Sequence, residues 1–337
     1  MSAAPGASAE DGYNADPDAA ALTGPSGLAG RDSRWGTGVL GTPTLARSAV
    51  DRATQRRADT AWLDAAWAEP RTRVLVVDDG RALARFSEGK AELGFVPPPQ
   101  APPGLRFLLG VDTAGIVYFG VLGPLPAPDP GARPASLRSV GQLLDDRDAG
   151  LMTHAVALAN WHSVSVHCSR CGAVTEPGSA GHLRRCPVDG SEHFPRLDPA
   201  VIMLVTDPAD RCLLARNSRW PQRRVSILAG FVEPGESVEQ AVAREVLEET
   251  GISVSQVSYL GSQPWPMPHS LMLGFHALAG GGQDIQVDAD EIVEAHWFSR
   301  ADLRASVASG ELLLPPPVSI AHRIIELWYG EELPGAW

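Results

Sequence analysis

Cysteine is scarce in this chain: four occur in 337 residues, three of them clustered at Cys168, Cys171 and Cys186, which does not suggest a disulfide framework. No run of about 18 or more apolar residues is free of charge and proline, so no membrane span is indicated. Basic charge is also short, with 28 Lys and Arg against 40 Asp and Glu and a net of -12. Long nucleic acid is gripped mainly by Lys and Arg on phosphates, so this balance makes a poor electrostatic footprint for it. Phosphorylated ligands must then be met by metal ions and local donors. No basic residue precedes Arg31 and the first 45 residues contain no continuous apolar segment, unlike a signal peptide. These absences together fit a reducing, cytoplasmic setting.

What is present divides into four stretches. Residues 1–45, rich in Ala, Gly, Pro, Ser and Asp, read as a disordered tail. Residues 46–163 read as an N-terminal α/β domain, with an amphipathic helix expected over 51–67, strands at 72–77, 107–109 and 116–121, and a helix over 138–162. Proline-rich breaks at 97–103 and 124–134 punctuate it. No internal repeat is obvious there, although the region has room to hide a degenerate copy of the later domain. Residues 164–197 form a cysteine-bearing insert, and 198–337 a final α/β domain. Its expected strands are 199–207, 212–217, 257–266, 270–279 and 295–299, and an amphipathic helix closes the stretch 312–329. Cys212 falls within an apolar strand pattern and reads as core.

The insert carries HCSRCG at 167–172 and CPVDG at 186–190. Cys168-x2-Cys171 is a knuckle half-site, and Cys186 supplies a third thiolate. The fourth position of a ribbon, three residues after Cys186, is Asp189; carboxylate can ligate zinc, and His193 is a nearby alternative. The insert is therefore a candidate structural Zn2+ site.

Residues 230–252, GFVEPGESVEQAVAREVLEETGI, carry the chemistry. Ser237 with Gln240 three residues on is a capping-box start and Gly251 a C-terminal stop, so 238–250 should be helical. On that helix Glu245, Glu248 and Glu249 fall at i, i+3 and i+4, and the three carboxylates share one face. Such a cluster calls for a cation, and hard oxygen ligands suit Mg2+ or Mn2+ set against substrate phosphates.

The full pattern, Gly230, Glu236, Arg244-Glu245-Val246, Glu248-Glu249 and Gly251-Ile252, resembles the Nudix box. Further on, SQPWPMPHS at 262–270 is similar to the signature of the NADH pyrophosphatases within the Nudix family, with Met267 and His269 at its variable positions. The resemblance covers about 46–330. It implies a Nudix α/β/α sandwich with a mixed sheet, preceded by a zinc-ribbon-like insert and an N-terminal α/β domain. It also implies hydrolysis of the pyrophosphate of NADH or NAD+ to AMP and a nicotinamide mononucleotide, removal of NAD caps from RNA 5' ends, and a homodimer.

Carried across residue by residue, Glu245, Glu248, Glu249 and Glu291 would bind the divalent ions, and Glu236 and Arg244 would hold the box through an ion pair. Phe231 and Phe194 match aromatic positions that hold a base; the family often has Tyr where Phe194 stands. Gln263, Pro264, Trp265 and Ser270 would line the pocket, Ala229 and Ala321 would supply close backbone contacts, and Arg138 would reach in toward a phosphate. Two other readings stay open: a Nudix hydrolase of ADP-ribose or a nucleotide-sugar, and a non-catalytic NAD-sensing Nudix protein. The first has no need of SQPWPMPHS, and the second predicts a broken box.

Overall fold

Helix starts along the chain are set by short polar side chains, and the central strands are continuous apolar runs buried on both faces. The structure, a computed structural model, describes Trp35, residues 38–287 and residues 290–333. Most of the expected tail lies outside these residues, but its last part is built into the fold. Leu40 and Leu45 are 2% and 1% exposed, Thr44–Ala46 forms a 3-10 turn, and the Trp35 ring stacks on His276 at 3.8 Å. Packed structure therefore begins before Ala46, because apolar side chains in that segment have buried surface to cover.

The N-terminal domain contains β1 (Val50–Asp51), α1 (Thr60–Ala68), β2 (Arg73–Val77), β3 (Arg81–Ser87), β4 (Lys90–Leu93), β5 (Phe95–Val96), β6 (Leu105–Asp112), β7 (Val117–Leu122), β8 (Ala132–Ser136), α2 (Leu137–Val140) and α3 (Asp146–Val164). The helix expected over 51–67 is shorter than its pattern. Ala53 lies in the left-handed region at φ 46°, and the true start is Asp59, whose side chain accepts the Trp62 N–H at 3.0 Å. The expected 138–162 helix is likewise split, because Asp145 caps a new start by accepting the Asp148 N–H at 2.8 Å.

The cysteine-bearing insert is a three-stranded meander, β9 (Glu176–Gly178), β10 (Leu183–Arg185) and β11 (Glu192–His193). The C-terminal domain follows with β12 (Asp198–Thr206), β13 (Cys212–Asn217), β14 (Leu228–Phe231), α4 (Val238–Thr250), β15 (Val254–Trp265), β16 (Ser270–Ala279), β17 (Ile292–Phe298), α5 (Arg300–Ala308) and α6 (Ile320–Tyr329). Its mixed sheet has β12 parallel to β16, with β15 antiparallel to β16, β14 antiparallel to β12 and β17 antiparallel to β13. Val201, Met203, Leu213 and Phe275 pack on one face against Ala241, Val242 and Val246 of α4. Ile202, Leu204 and Leu214 pack on the other against Leu303 of α5 and Ile324 and Trp328 of α6. Helices on both faces of a mixed sheet make the expected α/β/α sandwich.

The N-terminal domain repeats this strand plan. There β2 runs parallel to β7, β6 is antiparallel to β7, β5 to β2 and β8 to β3, in the same relations as β12, β16, β15, β14, β17 and β13. One part is missing. Where α4 connects β14 to β15, residues 97–104 connect β5 to β6 with PPPQAPPG and a single 3-10 turn at Pro98–Gln100. Proline cannot sustain a helix interior, and this link holds no carboxylate, so the first copy retains the scaffold without the acidic helix. Among the described residues no helix is long and apolar enough to cross a membrane.

Candidate active site and zinc ribbon

The acidic helix α4 is delivered by its caps. Ser237 Oγ accepts the Gln240 N–H at 3.2 Å and Gln240 Oε1 accepts the Ser237 N–H at 2.8 Å, while Gly251 closes the helix at φ 69°. With Ala241, Val242 and Val246 turned to the sheet, Glu245, Glu248 and Glu249 lie along the adjoining face.

Gly230 of β14 lies directly beneath Glu245. A Cβ on Gly230 would stand 1.9 Å from Glu245 Cδ and 2.0 and 2.2 Å from its two oxygens, so only glycine leaves room for that carboxylate. Arg244 fastens the loop to the helix. Its Nε and Nη2 donate to Glu236 at 3.1 and 2.6 Å, Nη2 also to the Phe231 carbonyl at 2.9 Å, and Nη1 to Glu245 and Glu248 at 2.9 and 3.0 Å. Glu236 in turn accepts the Glu233 N–H at 2.8 Å, and the Arg244 guanidinium holds its carboxyl below the usual range. The expected Glu236–Arg244 ion pair is thus present, and it is also bonded to the acidic face.

Glu249 is 5% exposed, and its Oε2 is buried without a hydrogen-bond partner. Burial first, then the charges of Glu245, Glu291 and Glu248, push its carboxyl up to about 8. Burial likewise raises Glu245, partly offset by Arg244. An orphaned buried carboxylate oxygen among three further carboxylates is a donor set that fits a hard divalent cation, which would favour the ionised forms.

The remaining candidate pocket residues are placed by β14, β15, β16 and α6. Ser270 and Met272 of β16 stand opposite Trp265 and Gln263 of β15, on the sheet face toward α6. Ala229 and Phe231 are exposed, Phe231 at 58%, and Phe194, directly after β11 of the insert, is 65% exposed. The Arg138 guanidinium lies 5.1 Å from the Trp265 ring centroid, which brings the first domain to the signature loop. Pro264 is half-buried in β15. Ala321, 2% exposed, starts α6 with its N–H on Ser319 Oγ at 3.2 Å.

Gln263 is fully buried, and both ends of its amide are engaged: Oε1 accepts the Leu45 N–H at 3.2 Å and Nε2 donates to the Val318 carbonyl at 3.1 Å. Asn160 of α3, which no local pattern singles out, donates to the Pro266 carbonyl at 2.8 Å. Its partner lies 106 residues away, and such pairings leave no periodic trace in the sequence.

In the insert, the ligand atoms of Cys168, Cys171, Cys186 and Asp189 all lie within 4.8 Å of one another. Cys171 Sγ is 3.4 Å from Cys186 Sγ, and Cys168 Sγ is 3.5 Å from Asp189 Oδ2. Tetrahedral zinc with thiolates at about 2.3 Å needs ligand atoms roughly 3.7 Å apart, so the four donors fit it. Two matching knuckles set them, with Gly172 N–H on Cys168 O at 2.9 Å and Gly190 N–H on Cys186 O at 3.0 Å. His193 stands outside the set, contacting Ser191 Oγ at 3.1 Å, and Ser191 Oγ donates to Asp189 Oδ1 at 2.6 Å. Cys212 is fully buried in β13, and burial pushes its thiol upward.

Three family models match consecutive parts of the chain: the NADH pyrophosphatase-like rudimentary NUDIX domain over residues 68–161, the NADH pyrophosphatase zinc ribbon domain over 165–194 and the NUDIX domain over 196–314. The chain is 45% identical over 303 residues to the NAD-capped RNA hydrolase NudC of Mycobacterium bovis (strain BCG / Pasteur 1173P2), covering 85% of this chain and 94% of the relative. It is 44% identical, with the same coverage, to the NAD-capped RNA hydrolase NudC of Mycobacterium tuberculosis (strain H37Rv). A third relative, NAD-capped RNA hydrolase NudC of Stutzerimonas stutzeri, is 43% identical over 209 residues, 62% of this chain and 72% of that one. The rudimentary domain matches the strand repeat that lacks α4, and the ribbon model matches the Cys3Asp cluster. The chain belongs to the Nudix hydrolase family, in the group that carries the NADH pyrophosphatase zinc ribbon.

Proposed function

We propose that this chain hydrolyses the pyrophosphate bond of NADH and NAD+, giving AMP and a nicotinamide mononucleotide, and removes the NAD cap from RNA 5' ends. The observation that carries this is the buried, unpartnered Oε2 of Glu249, set among the charges of Glu245, Glu248 and Glu291 in the domain that also bears SQPWPMPHS. Glu245, Glu248, Glu249 and Glu291 hold the divalent ions, Mg2+ or Mn2+. A cation held there would supply positive charge against a phosphorylated substrate and lower the pKa of a bound water.

The chain's own groups do the rest. Glu249, buried among the other carboxylates, is the residue whose loss should be most damaging, as metal ligand or as acceptor of the water proton. Arg244 and Glu236 keep the box loop and the acidic face in register and make no contact with substrate. Phe231 and Phe194 offer flat apolar faces for a base. Ser270, Pro264 and Trp265 wall the pocket, with Ala229 and Ala321 allowing close backbone approach, and Arg138 meets a phosphate from the first domain. Gln263 shapes the same wall through its backbone ties.

Stacking rewards a planar base and is indifferent to what hangs from the far ribose, so one pocket serves both NADH and the cap. The exposed apolar side chains of Phe194, Leu197 and Phe231 support a homodimer in which the aromatic walls are completed across the interface. Zn2+ on Cys168, Cys171, Cys186 and Asp189 has a structural role. Glu249→Gln should lower NADH turnover by roughly a hundredfold or more while NADH still binds. Near wild-type turnover would contradict the assignment.

A further inference from the structure

On the α5 side of the sheet lies a cavity of about 600 Å³ that the proposed chemistry does not use. Its apolar floor comes from Leu214 of β13, Val225, Phe298 of β17 and Leu312. The segment carrying Leu313 pairs with Arg224 and crosses the sheet face here. His296 and Phe298 supply aromatic surface, edge to face at 6.3 Å and 86°. Gln222 and Glu311 add an amide and a carboxylate at the rim, while the other lining carboxylate, Glu294, is paired with Arg216.

The loop over this cavity is basic. Residues 216–224 read RNSRWPQRR, four arginines with no acidic residue, in a chain of net charge -12. Among the described residues the guanidinium groups of Arg219 and Arg223 make no hydrogen bond or ion pair. Arg223 holds a left-handed backbone, φ 75°, a strained state for a residue with a side chain and one that concentrates at ligand-contacting loops. The loop is also tied to the metal-binding candidate: the Ser218 N–H donates to the Glu291 carbonyl at 2.8 Å and Ser218 Oγ to the Asp290 carbonyl at 3.0 Å. From Glu291 to Glu294, which lines the cavity, is three residues, about 10 Å along an extended chain.

The geometry points to this loop and cavity as the docking surface for the single-stranded RNA that follows an NAD cap. A base of that RNA enters the cavity against His296 and Phe298, its edge meets Gln222 and Glu311, and Arg219 and Arg223 take the phosphates on either side. Planar aromatic faces and free arginines are the chemistry that binds single strands. NADH ends at its adenosine and has no such extension. The inference rests on the proposed activity toward capped RNA and adds the surface that recognises the RNA body.

The test compares wild type with the double variant Arg219→Ala/Arg223→Ala on NADH and on a short single-stranded NAD-capped RNA. Expected are a loss of about tenfold in kcat/KM for the RNA, NADH hydrolysis within about twofold, and a salt dependence of RNA cleavage shallower by about 0.7 per arginine removed. The single exposed reversal Arg219→Glu should move RNA cleavage the same way, so the result does not hinge on one variant folding. An unchanged RNA rate, or equal losses on both substrates, overturns the docking surface. Wild type that cleaves NADH but not capped RNA also overturns it while the NADH assignment stands; wild type that cleaves neither overturns the assignment itself.

Discussion

Gly230 shows how closely the active side chains are fitted. With Glu245 lying where a Cβ would fall, 1.9 Å from its Cδ, Gly230→Ala must displace that carboxylate or the strand. We expect NADH turnover to fall at least tenfold with a raised Mg2+ requirement, read from a metal titration; an unchanged titration would show that Glu245 does not act from this position. Glu236→Ala leaves Arg244 with only Glu245 and Glu248 as carboxylate partners, so the metal requirement should rise there too, while Glu236→Gln should restore part of it. At this scale the carboxylate spacing was legible, because i, i+3 and i+4 place side chains on one face whatever surrounds the helix. The use of Gln263 was not. Only the fold shows Leu45 and Val318 at the two ends of its amide.

Among elements, α4 was legible to the residue, since Ser237, Gln240 and Gly251 cap it locally. The 51–67 stretch was not, because its apolar pattern continued through Ala53 and the start at Asp59, and the fold follows the caps. In the ribbon, zinc should be present at about one per chain, and Cys186→Ser should abolish it and lower the melting temperature; wild-type protein with well under one zinc would contradict the site.

The seam where the ribbon, α3 and β6 meet also predicts acid sensitivity. Burial, only partly offset by the Leu108 carbonyl, pulls His182 down to about 4, and burial lowers His154 and His162 as well. The folded-state pKa lies below the unfolded value near 6.5. Protons therefore bind the unfolded chain first, and stability held above about pH 6.5 is lost as pH falls toward 4. His182 alone contributes up to about 3 kcal/mol to this loss. Urea midpoints across that range should fall with pH in wild type and fall less in His182→Gln; parallel slopes would rule out this origin.

For the molecule as a whole, the repeat was hidden because the first copy keeps strand order and loses the acidic helix, so nothing in its sequence resembles the box. The copies are joined through SQPWPMPHS: Arg138 meets Trp265, Asn160 holds the Pro266 carbonyl, and Gln263 ties Leu45 to Val318. Gln263→Leu would strand a buried N–H and a buried carbonyl, each costing about 1–3 kcal/mol, and calorimetry should show a lower melting temperature.

On the proposed reading, the acidic helix breaks a pyrophosphate and the signature loop chooses its owner. The most direct test of this reading is hydrolysis of NADH, NAD+ and ADP-ribose side by side with Mg2+ and with Mn2+, with products identified. We predict AMP and the nicotinamide mononucleotide from NADH and NAD+, at a kcat/KM at least tenfold above that for ADP-ribose. Equal or faster cleavage of ADP-ribose, or no cleavage of either dinucleotide, would contradict it.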